Sequence, residues 1–187
     1  LVTLARVKLE QNVDFESAEE LIEHALKINP KSADAYAVRA GMALRDSEVK
    51  KAEESIALGL QLNPSHLELL SLRAAARFLS DDLPGFEAGK KAVFAKNKEY
   101  STFFTIVAEF AEWEHRYDDI VKMMKEATVV DPDDAKAWAT LGLTQLRSLD
   151  EAGGLQSLQK AWAKDHFNVR VFNTLNLYEQ AIPAQYE

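Results

Sequence analysis

The sequence predicts an all-α protein: a right-handed α-solenoid of about five helix-turn-helix repeats of 34 residues, followed by one unpaired C-terminal helix. Three observations predict it. Asn29, Asn63, Asn97, Asp131 and Asp165 recur at a strict interval of 34 residues, and Pro follows three of them, at Pro30, Pro64 and Pro132. Between these marks the apolar residues follow helical rather than alternating spacing. The composition, 187 residues with 47% hydrophobic and 28% charged content, suits a globular chain with a sizeable core.

The recurring Asn or Asp is expected to end a helix, because both residues tolerate the left-handed conformation that closes one. A following Pro disfavours the α region for its predecessor and sharpens the stop. The next helix starts at once. Ser65 with Glu68 gives a capping-box pattern, and Ser32, Asp133 and Asn168 are N-cap candidates at similar places. The repeats run over about 1–30, 31–64, 65–98, 99–132 and 133–166, with a final helix at 169–182, and all of 1–187 is read as one domain.

Apolar and small residues fill matching places in each period. In the first these are Phe15, Ala18, Ile22 and Ala25; in the second Tyr36, Ala40, Ala52 and Ile56; in the fourth Phe104, Ala108, Met124 and Ala127. The fifth contains Trp138, Leu141 and Gly142, a W-x-x-L-G pattern, followed by Leu158 and Ala161. This pattern resembles the tetratricopeptide repeat family over nearly the whole chain. The resemblance implies that Ala40, Ala108 and Gly142 lie where paired helices approach most closely. It also marks the third repeat as unusual, with Phe86 at a small-residue place and Lys98 where Pro is usual. Pro84 is expected in the first turn of that repeat's second helix, which is expected to be shifted or tilted.

Composition and spacing also exclude chemistry. There is no cysteine, which removes disulfides, thiol catalysis and Cys-based metal sites. The four histidines are far apart and form no H-x-x-x-H or H-E-x-x-H pattern, so no catalytic, metal or cofactor residue is assigned. A net charge of −8 disfavours binding to nucleic acid. No apolar run is long enough to span a membrane. The chain opens at Leu1 in helix-like sequence, without Met or a signal segment, and is read as a piece of a longer protein.

The resemblance implies a protein or peptide partner, held on the face built by the first helix of each repeat. By register that face comprises Asp34, Val38 and Gly41; Glu68, Leu72 and Ala75; Ile106, Glu109 and Trp113; and Lys136, Thr140 and Leu143. Val38, Leu72 and Ile106 are equally suited to packing between adjacent first helices. Ala37 and Gly41 stand where the family's clamp for a C-terminal carboxylate needs Lys and Asn, which disfavours that ligand.

The C-terminal helix carries apolar residues over a wide arc. Phe172 and Leu175 are expected to pack back on the fifth repeat. Val171, Leu177, Tyr178 and Ile182 are expected to form an exposed edge, open to a following domain or to self-association. The stretch from Asn168 to Pro183 is also similar to the junction that leads into a zinc-peptidase-like domain in some bacterial repeat proteins. An accessory or docking role beside such a hydrolase domain is therefore the alternative function.

Overall fold

The computed structural model describes residues 1–10 and 14–181. Every regular element among the described residues is a helix: α1 (Val2–Glu10), α2 (Phe15–Ile28), α3 (Ala33–Arg45), α4 (Val49–Leu62), α5 (Leu67–Leu79), α6 (Leu83–Phe94), α7 (Thr102–Trp113), α8 (Tyr117–Val130), α9 (Ala135–Arg147), α10 (Glu151–Lys164) and α11 (Val169–Ala181). Odd-numbered helices are the first of each hairpin and even-numbered ones the second, with α11 as a further first helix. The fold is thus the all-α arrangement of helical hairpins that the 34-residue period predicts. Internal contacts divide the chain into two compact units, Leu1–Asn97 and Lys98–Glu187.

The period is written most clearly in the caps. Ser32, His66, Asp134 and Asn168 stand 34 residues apart, or twice that, and each side chain accepts the backbone N–H three residues on, from Ala35, Leu69, Ala137 and Val171. The caps expected at Ser65 and Asp133 therefore fall one residue later: His66 Nδ1 and Asp134 Oδ1 take the bonds instead. The place between them in the series belongs to Tyr100, and α7 starts late, at Thr102, with no side-chain cap.

The stops work differently from the expectation. Asn29, Asn63, Asp131 and Asp165 have φ of −133, −138, −134 and −140° with ψ of 89, 91, 96 and 95°, which is extended rather than left-handed. In each, Oδ1 accepts the N–H two residues on, at 2.9–3.1 Å, which forms an Asx turn. A following Pro favours this extended backbone at Asn29, Asn63 and Asp131, but Asp165 adopts it before His166, so the Asx bond is the feature common to all four. At Asn97 the pattern is broken: α6 stops early, with Ala95 still in the α region. The chain's division into two units falls at this altered stop.

The left-handed residues lie inside the hairpins instead. Ser47, Asp81, His115 and Leu149 have φ of 59, 55, 56 and 64°, again one per period, and none is glycine. Each turn carries the same pair of bonds that defines a Schellman closure. In the second repeat these are Glu48 N–H to Ala43 O at 2.8 Å and Ser47 N–H to Leu44 O at 3.1 Å.

Small residues set helix spacing. Ala40, Ala74 and Ala108 are buried in first helices one period apart, and Gly142 completes the series. A Cβ on Gly142 would lie 2.8 Å from the carbonyl oxygen of Gly154, so α9 and α10 touch backbone to backbone there. In α6, Pro84 stands in the first turn behind the Asp82 cap, as expected, and the large Phe86 is buried against Phe78, ring centroids 5.3 Å apart. Gly89 takes over the close approach, facing Ala74.

Candidate functional site

In the first unit the first-helix face is small and already engaged. Arg6 on α1 reaches Glu68 on α5 with a two-pronged bond, Nη1 to Oε1 at 2.6 Å and Nη2 to Oε2 at 2.7 Å. A planar guanidinium matches a carboxylate in this way, which is stronger than a single contact. Asp34 shares a hydrogen bond with His66 Nε2 at 3.0 Å. Gly41 is half-buried, and no atom lies within 4 Å of where its Cβ would be.

Val38, Leu72 and Ala75, expected on the binding face, are instead buried. The physical reason at Val38 is the packing of α3 against its neighbours, which closes it into one apolar cluster with Ala5, Leu9 and Ala35. Ala5 and Leu9 of α1 occupy the buried places of Ala40 and Leu44 at an offset of 35 rather than 34 residues. That one-residue slip is why Arg6, rather than its neighbour, turns onto the face at the level of Gly41.

In the second unit the face is open. Ile106 and Glu109 on α7 are half-buried, and Trp113 is 66% exposed. On α9, Lys136 is exposed while Thr140 and Leu143 are half-buried. Arg147 closes the row, paired with Glu112 and lying over the Tyr117 ring at 5.9 Å. Adding one period to Lys136, Thr140 and Leu143 gives Arg170, Thr174 and Leu177 on α11, which sequence reasoning had not joined to the face.

The expected C-terminal edge is corrected in two respects. Val171 is fully buried, not exposed: it fills on α11 the place that Ala137 fills on α9, packed with Ala139, Leu158 and Ala161. Leu177 is 68% exposed, but its register places it beside Leu143 on the first-helix face. Tyr178 is half-buried, and Ile182 lies outside the described residues. Leu175 packs on the fifth repeat as expected. Phe172 remains half-exposed, its ring 5.4 Å from that of Trp162, and Phe167 and Val169 nearby are largely exposed.

Titratable groups serve structure. Asp14 is held below the usual carboxylate range by the N–H of Ser17, which it caps, and by Lys8. Asp133 is lowered by its bond to Lys164. Among the described residues, no group of three or more His, Cys, Asp or Glu comes together as a metal site, and no helix is long and apolar enough to cross a membrane.

No protein-family model matches the chain, and no curated protein matches it. Solved structures do match. TTC0263, a thermophilic TPR protein of Thermus thermophilus, aligns with a TM-score of 0.65 at 19% identity, over 94% of this chain and 95% of that one. The structure from the functional characterisation of Pseudomonas aeruginosa pilF aligns at 0.56 and 15% identity, over 99% and 86%. PilW, a widely conserved type IV pilus biogenesis factor, aligns at 0.55 and 18%, over 87% and 75%. At these identities the likeness is one of fold.

Proposed function

Since the chain has the tetratricopeptide-repeat fold, we propose that it is a scaffold that holds a protein or peptide on the first-helix face of its second unit, without catalysis of its own. One observation carries this reading. Trp113 and Leu177, two large apolar side chains on that face, are 66% and 68% exposed. Leu143, half-buried on the same row as Leu177, extends the apolar strip. Single exposed apolar residues are ordinary, but a row repeated on adjacent helices is the kind of surface that partners cover. A second contact is proposed at Phe167, Val169 and Phe172, for a second copy or a following segment of the same polypeptide.

The test is selection of peptides from a random displayed library on the intact chain, followed by titration read from tryptophan fluorescence. Recovered peptides are expected to bind the parent and to lose binding to Leu143→Asp/Leu177→Asp, with an unchanged circular dichroism spectrum. Peptides that bind this variant as well as the parent would refute the face. The second contact is read by sedimentation, where Phe172→Glu is expected to abolish any concentration-dependent increase in mass.

A further inference from the structure

We infer that the segment held on the first-helix face of the second unit is acidic as well as apolar, its carboxylates seated on Lys136 and Arg170; this rests on the reading of that face as the ligand surface. Of the nine Lys and Arg of this unit five are engaged, and two of the others, Lys98 outside the helices and Lys125 on the second helix α8, do not lie on a first helix. Arg116 and Lys122 pair with Asp119, Arg147 with Glu112 and Lys164 with Asp133, while Lys160 lies over the Trp138 ring at 4.3 Å. Lys136 and Arg170 make no ion pair among the described residues, and both are exposed.

Their placement makes them a pair. They occupy the same position on α9 and α11, one period apart, and each heads a row on its own helix: Lys136 with Thr140 and Leu143, Arg170 with Thr174 and Leu177. Steps of four and three residues keep each row on one helix face. Seven residues at about 1.5 Å each put the cations roughly 10 Å from the leucines. An extended segment covers that distance in about three residues. A ligand with an apolar anchor on the leucines and carboxylates about three residues away would satisfy both ends.

The first unit supplies the contrast. The same position there holds Asp34 and Glu68, and the protein fills it from within: His66 meets Asp34 and Arg6 clasps Glu68. In the second unit that position is the neutral Thr102 on α7 and then Lys136 and Arg170 on α9 and α11, of opposite sign and without an ion pair among the described residues. In a chain of net charge −8, two like cations at equivalent positions on α9 and α11, without ion pairs among the described residues, are a surface complementary to a negative segment.

The experiment uses the full chain and the same displayed library of random peptides. Recovered sequences are expected to place Asp or Glu about three positions from Leu or Phe, and their binding to weaken as salt rises. Charge reversal by Lys136→Glu/Arg170→Glu is expected to weaken them about tenfold or more. Exchange of the peptide carboxylates for Lys is expected to restore binding to the reversed variant. Neutral or basic peptides that ignore the reversal yet fail on Leu143→Asp/Leu177→Asp would overturn the acidic ligand and leave the face standing. Recovery of no peptide would remove the face and this inference together.

Discussion

Two glycines in first helices should respond in opposite directions to the same added methyl group. In a helix interior Gly→Ala stabilises by about 0.8–1 kcal/mol through propensity alone. At Gly41 nothing lies within 4 Å of the new Cβ, so that gain should be kept, and Gly41→Ala should stabilise by about 0.5–1 kcal/mol. At Gly142 the Cβ would stand 2.7 Å from Leu158 Cγ, 2.8 Å from the Gly154 carbonyl oxygen and 2.9 Å from the Leu158 nitrogen. Two of these neighbours are backbone, so no rotamer change relieves the contact. A carbon-to-oxygen contact is ordinarily about 3.3 Å or more, which means that α9 and α10 must part by roughly half an ångström. Overpacking of this kind costs about 1–3 kcal/mol, and with two of the three contacts to backbone the upper part of that range applies, which leaves Gly142→Ala less stable by up to about 2 kcal/mol after the propensity gain. Urea unfolding is the assay, followed by far-ultraviolet circular dichroism for both units. Fluorescence follows the second alone, because all three tryptophans, Trp113, Trp138 and Trp162, lie there. A Gly142→Ala protein as stable as the parent, or a destabilised Gly41→Ala, would refute the spacing argument.

Ala108, buried at the helix contact of the fourth repeat, gives a related expectation: Ala108→Leu should lower stability by about 1–3 kcal/mol in the same urea assay, with the loss seen by fluorescence. Acid should weaken the cap at Asp14. Its carboxylate is depressed below the ordinary 3.8 by Ser17 and Lys8, so its contribution is present above that pH and disappears as pH falls through the lower folded value. Melting temperature measured against pH should therefore fall more steeply below about 3.8 in the parent than in Asp14→Asn; identical acid limbs would contradict the assignment.

The hairpin fold was legible because its period is fixed by letters with a local mechanism. The mechanism itself was not. An Asn before Pro is compatible with a left-handed stop and with an extended Asx turn, and only the dihedral angles separate the two. Ser65 and Glu68 have capping-box spacing, yet His66 wins the cap, since its Nδ1 reaches Leu69 from the right place in the period. On the proposed binding face, Lys136, Thr140 and Leu143 were readable, and one more period would have added Arg170, Thr174 and Leu177. What periodicity could not tell was depth: Val38 and Leu72 share a register with Thr140 but are closed in by their neighbours. The clasp between Arg6 and Glu68 joins residues 62 apart across an off-register helix, and no local pattern encodes it.

The four left-handed turns have a consequence for how this molecule can change. Ser47, Asp81, His115 and Leu149 share no chemistry, so the closing hydrogen bonds, rather than any side chain, dictate the backbone there. A side chain held in that region costs roughly 1–2 kcal/mol relative to glycine's freedom. Leu149 returns nothing for it, being almost wholly exposed. The chain therefore sits below the stability its own architecture permits. Such positions are reserves for adaptation: a glycine acquired at a turn raises the ceiling, and the margin can then absorb a costly exchange on the proposed ligand face. Specificity on the proposed face can then drift, while the turns, which share no residue with it, supply the tolerance that drift requires.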